Sequence, residues 1–246
     1  MRTIEEQLAR EGVRIIARSP LRHQWAKDGA LRKAISISDL IIINGEGTLH
    51  HGAEHGETLL KIALDPIREK AKVFLINALW EDNPLEWRAY LERMDGIWAR
   101  DSQSAKEMSD LLGRNISWLP DMSLCGDKLE NHGPRSGVLI GDSVNKSIAR
   151  KLAELSLDLA GARLTPSLEA LKRAHGSTAL TRKIREIRAR VYERRFYRRF
   201  PSYSICNDEM GYLEAVASAE LHITGRFHGV CFSIAAGTPF LAVTSN

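Results

Sequence analysis

Short runs of apolar and β-branched residues recur along this chain, and most are followed by a stretch with apolar positions three and four apart. Residues 13–17, 39–43, 72–77, 96–99 and 116–119 predict strands, while 4–10, 26–35, 57–70, 84–94 and 102–112 predict helices. Pro84 suits a first helical turn, and Ser102 is a natural cap for the helix that follows it. The segment 125–136, with Gly126, Asn131, Gly133 and Pro134, interrupts the alternation and predicts a linker. Beyond it, strands are predicted at 137–141, 202–205, 221–224 and 240–243, and helices at 146–160, 208–219 with Asp208 as cap, and 230–236. Strands joined by helical crossovers imply parallel sheets covered on both faces. The expected architecture is therefore α/β, with two Rossmann-like domains at 1–128 and 129–246 and a ligand cleft between them.

Composition narrows the class of protein. With 246 residues, 43% hydrophobic and 27% charged, the chain can bury substantial cores, and disorder is not expected. No apolar run approaches the ~18 residues of a membrane span, and the first residues lack the apolar core of a signal peptide, so a cytoplasmic location is expected. Cys125, Cys206 and Cys231 are odd in number and far apart, which predicts reduced, buried thiols rather than disulfides or a zinc site. The net charge of +4 is uneven: 182–199 holds nine Arg and Lys residues against two Glu, with Ile184, Ile187 and Val191 at helical spacing. An amphipathic basic helix of this kind either faces solvent or meets an anionic partner, such as the inner face of a membrane or a diphosphate-linked substrate. No RNA-binding motif accompanies the charge, so nucleic acid is not expected.

Candidate chemistry concentrates where strands run into turns. Thr224-Gly225-Arg226-Phe227-His228-Gly229 joins an apolar strand to a helix, a place where free N–H groups and the helix dipole favour an anion beside a titratable imidazole. Asn44-Gly45-Glu46-Gly47-Thr48 follows another apolar run, and its glycines allow backbone donors to approach a ligand closely. Arg100 ends a strand beside Asp101, where the two could also form a local surface ion pair, and Asp121 ends the next one, where it could simply cap a turn. His51 and His55 have i, i+4 spacing, but Gly52 and Gly56 disfavour a helix there, and no metal site is expected.

In this order, Gly45-Glu46-Gly47-Thr48-Leu49, Ala99-Arg100-Asp101 with Ser104, Pro120-Asp121-Met122-Ser123-Leu124, and Arg226-Phe227-His228-Gly229 with Ala236-Gly237-Thr238-Pro239 resemble the polysaccharide pyruvyl transferase family. The resemblance spans roughly residues 37–245 and implies a GT-B-like fold. It also implies transfer of a pyruvyl group from phosphoenolpyruvate to a sugar of a glycan or glycan precursor, as a ketal, with no cofactor. By the same analogy His228, Arg226 and Arg100 are the candidate catalytic residues, His228 as general acid/base and the arginines on the anionic donor. Asn44, Gly45, Glu46, Gly47, Asp121 and Gly229 are the candidate substrate-binding residues, with Gly45, Arg100 and His228 expected to line one cleft. The acceptor sugar is expected on a nucleotide or lipid diphosphate. The family's usual first strand with its Asn-x-Gly-Asp loop, and its closing helix, are expected to be missing, and Glu46 stands where glycine is common. Loss of activity is one outcome such shortening allows. Two other classes remain open: a GT-B glycosyltransferase using a nucleotide sugar, and a non-catalytic protein that binds glycans or a partner enzyme.

Overall fold

The computed structural model describes residues 2–19, 23–125, 133–166, 191, 194–206 and 208–244. The chain forms two compact units, Met1–Cys125 and Gly126–Asn246.

In the first unit, β1 (Leu40–Asn44), β2 (Lys72–Ala78), β3 (Gly96–Ala99) and β4 (Ser117–Trp118) form a parallel sheet in the order β1-β2-β3-β4. Strand side chains alternate between faces, and Val73 and Leu75 on one face of β2 are fully buried. They join Ile43, Ile97 and Ala99 in a core closed by Trp25, Leu60, Leu91, Ala105 and Met108 from the connecting helices.

The second unit repeats the plan with β5 (Val138–Ser143), β6 (Arg163–Leu164), β7 (Leu221–Gly225) and β8 (Phe240–Ala242), parallel in the order β6-β5-β7-β8. Here both faces are packed, as expected for a parallel sheet. Ile140 and Ile223 meet Leu152, Leu164, Phe200 and Tyr203 on one side. Leu139 meets Tyr212, Val216 and Ala236 on the other. Because parallel strands all end on the same side, each sheet has one carboxyl edge where the turns after its strands collect.

Several local expectations are corrected. Residues 13–17 join no strand: the segment is partly or fully exposed, and Arg18 pairs back onto Glu5 at 2.6 Å. Strand propensity there finds no ladder to complete. The helix expected at 26–35 starts later, at Gly29–Ser36, because the Asp28 carboxylate accepts from the Leu31 N–H at 3.0 Å and caps it there. The single helix expected at 57–70 is three pieces, Glu54–Leu60, Lys61–Ala63 and Pro66–Arg68. Pro66 lacks the donor to continue a helix, and the Asp65 carboxylate caps the new turn through the Ile67 N–H at 2.8 Å. Residues 84–94 are likewise a 3₁₀ turn, Leu85–Trp87, and a short helix, Arg88–Leu91, with Pro84 just before the first turn. Asp101, rather than Ser102, caps Ser102–Leu112, accepting from the Ser104 N–H at 2.7 Å.

The strand expected at 202–205 reduces to one bridge, Tyr203 with Leu164 of β6, because the two-residue β6 offers no longer ladder to pair with. Only Cys231 of the three thiols is buried; Cys125 is exposed and Cys206 intermediate. Most of the linker expected at 125–136 and of the basic helix expected at 182–199 lies outside the described residues. Residues 194–199 are helical, and Phe196 there packs against Phe200 with ring centroids 4.6 Å apart and planes tilted by 42°. Among the described residues no helix is long and apolar enough to cross a membrane.

Candidate functional site

At the carboxyl edge of the first sheet, Asn44, Gly45, Glu46, Arg100 and Asp121 come together. Gly45 is there for proximity, since a Cβ would stand 2.8 Å from the Ala78 backbone. Its N–H donates to the Ile76 carbonyl at 2.9 Å, so the backbone donor expected of Gly45 belongs to the sheet and not to a ligand. The Asn44 side-chain amide donates to Glu46 Oε2 at 3.3 Å and its carbonyl oxygen accepts from Asn77 at 3.2 Å. Gly47 is exposed, with a left-handed φ of 61° at the tip of the turn.

Asn77 escaped the sequence reading. It lies inside β2, is buried, and has φ of 53°, a conformation that asparagine tolerates better than most side chains. The β2–β3 register shifts between Leu75 and Ala78, around that residue. Asn77 Oδ1 also accepts from the Met122 N–H at 3.4 Å, so Asn77 ties the turn after β1 to the turn after β4. Its one sequence signal is a polar residue closing an otherwise apolar strand.

Arg100 and Asp121 pair with each other, Nη1 to Oδ2 at 3.8 Å, with side chains 10% and 2% exposed. The Asp101 carboxylate accepts from the N–H and the hydroxyl of Ser104, at 2.7 and 2.9 Å, and so caps the next helix. Asp121 Oδ1 accepts from the backbone and the hydroxyl of Ser123 at 2.9 and 2.7 Å. Asp121 is thus buried in the turn it caps, with Oδ2 towards Arg100. Among the described residues no three His, Cys, Asp or Glu side chains gather as a metal ion would need. His51 lies outside the helix that carries His55.

In the second unit, β7 delivers Arg226 and then the helix Phe227–Ala236, which has no side-chain cap on its first turn. His228 in that turn is exposed, with its ring edge-on to Phe227 at 5.6 Å. Gly229 is required where the helix crosses β7, since a Cβ would sit 2.4 Å from Thr224 Oγ1. That hydroxyl accepts from the Arg226 N–H at 3.1 Å. The Arg226 guanidinium donates to both oxygens of Asp142, from Nε at 3.2 Å and from Nη2 at 2.7 Å.

Beneath this turn lies a second feature that sequence reasoning passed over. His222, fully buried in β7, lies 2.7 Å from Ser233 Oγ through Nδ1 and 3.4 Å from the Tyr212 hydroxyl through Nε2. The Ser233 hydroxyl donates to the Gly229 carbonyl at 2.9 Å, so it accepts from Nδ1–H, and the Tyr212 hydroxyl donates to Nε2. This arrangement is satisfied by a neutral imidazole. Burial lowers the His222 pKa to about 4, opposed by the nearby Gly229 carbonyl, and pushes the Tyr212 hydroxyl up. The arrangement can do two things: present an exposed imidazole at a helix N-terminus, and hold an arginine beside it by a buried carboxylate.

Comparison with known proteins supplies the setting for this geometry. A structure described as a UDP-N-acetylglucosamine 2-epimerase from Listeria monocytogenes aligns with a TM-score of 0.51 and 10% identity over 98% of this chain and 68% of that one. At that identity the likeness shows the fold, a GT-B-like pair of α/β domains. The structure of accessory secretory protein 1, 2 and 3 in Streptococcus pneumoniae aligns with a TM-score of 0.48 and 11% identity over 88% of this chain and 44% of that one, less than half its length. No curated protein sequence matches the chain. The sequence profile of polysaccharide pyruvyl transferase matches residues 3–246, essentially from end to end, and the protein belongs to that family.

Proposed function

We propose that this chain transfers the pyruvyl group of phosphoenolpyruvate to a sugar, closing a ketal on two hydroxyls and releasing phosphate. The observation that carries the reading is the turn after β7 in a member of this family, where exposed His228 opens a helix two residues beyond a held arginine. Protonation of the donor's methylene carbon makes the adjacent carbon electrophilic, and one sugar hydroxyl adds to it. Phosphate leaves and the second hydroxyl closes the ring. Of the two hydroxyl protons, one restores the acid that made the methyl group and the other departs with phosphate.

Imidazole titrates near neutrality and suits the proton transfers, which is why His228 is assigned as the acid/base. Arg226 and Arg100 are the cations assigned to the donor's phosphate and carboxylate, aided by the helix dipole after Arg226. Asn44, Glu46 and Gly47 are assigned to substrate, while Gly45, Gly229 and Asp121 support the fold around it. The acceptor is a sugar carried on a nucleotide or lipid diphosphate. The reading includes a cytoplasmic location and contact with an anionic membrane through 182–199; Arg194, Arg195 and Arg198, exposed beside the buried Phe200, support that contact.

Phosphate release from phosphoenolpyruvate, measured with and without glycan acceptors and followed by NMR of the new methyl group, tests the reading. Acceptor-dependent release with a ketal product is expected. Turnover of a nucleotide sugar in its place would move the chain to the glycosyltransferases. Turnover of neither donor, with glycan binding intact, would make it a binding protein.

A further inference from the structure

The donor reading depends on where the Arg226 guanidinium points, and a residue outside every motif accepts two hydrogen bonds from it. Asp142 sits near the end of β5, the strand beside β7. The β5–β7 register shifts between Ile140 and Ser143, so the irregular stretch includes Asp142 itself. Irregularities of this kind re-aim a side chain at the rim of a sheet. Both members of the pair are largely buried, with side chains 16% and 12% exposed for Arg226 and Asp142.

We propose that Asp142 is a positioning residue that acts through Arg226, fixing the plane of its guanidinium for the anionic donor; the proposal rests on the donor reading above. A single contact would leave the guanidinium free to rotate about one bond, whereas two parallel contacts, at 3.2 and 2.7 Å, define its plane. The bond from the Arg226 backbone N–H to Thr224 Oγ1 fixes the backbone that carries the side chain. The pair is neutral overall, so its value to a phosphate or carboxylate lies in direction more than in net charge. Arg100 is paired differently, with its Nη1 3.8 Å from the Asp121 carboxylate.

A double-mutant cycle on the full chain tests this. Asp142→Asn should raise the KM for phosphoenolpyruvate by ~10-fold with kcat changed less than about threefold, and should change KM by less than about twofold when Arg226→Ala is already present. Equal effects in both backgrounds, or no change in KM, would overturn the proposal. The ¹⁵N NMR signal of the Arg226 Nε–H, assigned by its loss in Arg226→Lys, reads the same pairing without turnover. It should collapse towards free arginine in Asp142→Asn, and its persistence would count against Asp142. If the wild-type chain turns over no phosphoenolpyruvate, the donor reading fails while the NMR signal still decides whether Asp142 orients Arg226. Should Asp142→Asn not fold, Asp142→Glu carries the test, because the longer stem keeps the charge and displaces the two oxygens from the fork. A ~10-fold rise in KM that disappears when Arg226→Ala is present would then support the proposal, and an unchanged KM would refute it.

Discussion

Acid should destabilise this protein through one residue, His222. The imidazole is fully buried and held in its neutral form by Ser233 and Tyr212, with a pKa lowered to about 4 from an ordinary 6.5. Between those two values the unfolded chain binds a proton that the folded chain refuses, so stability falls as pH drops through 6.5 and the loss levels off below about 4. A difference of roughly 2.5 units corresponds to about 3 kcal/mol in full, and to about 2 kcal/mol between pH 7 and pH 5. That is a large share of the 5–15 kcal/mol by which domains are usually stable. The chain has eight histidines, so the measurement is comparative. Urea unfolding of the wild type and of His222→Gln at pH 7 and pH 5 should show a wild-type loss about 2 kcal/mol greater than that of the variant. Parallel losses in the two proteins would refute the reasoning, as would an NMR titration placing the His222 midpoint near 6.5.

Other outcomes follow from the same geometry. Gly229→Ala should destabilise by about 1–3 kcal/mol in urea melts, because its Cβ would meet Thr224 Oγ1 at 2.4 Å, and adding Thr224→Ala should recover part of the loss. If His228 transfers the proton, His228→Ala should lower kcat by ~10²-fold or more with little change in donor affinity measured by calorimetry. Arg100→Ala should weaken phosphoenolpyruvate binding by about 1.5–3 kcal/mol in calorimetric titrations and also cost stability, since buried Asp121 loses its cation. Binding to anionic vesicles should weaken steeply as salt rises, and should fall when Arg194, Arg195, Arg198 and Arg199 are neutralised.

Legibility in the sequence followed how local each cause was. β1, β2, β3, β7 and the helix Ser102–Leu112 were legible because apolar runs and helical spacing report burial directly. The Arg226–His228 turn was legible because a strand, two glycines and a helix meet within a few residues. β6 was not: two residues, Arg163 and Leu164, carry no period, and only pairing with β5 makes them a strand. The expected helix at 57–70 failed at Asp65 and Pro66, where capping and a missing donor outweigh spacing. Asp142 and Asn77 were missed because their roles depend on partners far along the chain, Arg226 and Met122. His222 carried a usable sign, one ring nitrogen pair inside an apolar strand, but not the identity of Ser233 and Tyr212.

The strand order has a consequence for how the molecule assembles. In the first sheet each strand pairs with the next one along the chain, and Leu40 meets Lys72 across roughly 30 residues. In the second, β5 pairs with β7, and Val138 meets Leu221 across roughly 80. Closing the longer loop costs only about 0.9 kcal/mol more by chain entropy, but non-local pairing slows folding well beyond what that equilibrium cost conveys. During synthesis the first sheet can complete while much of the second is still unmade. The β5–β7 seam, with Asp142 on one side and Arg226 on the other, is accordingly among the last contacts the nascent chain can form.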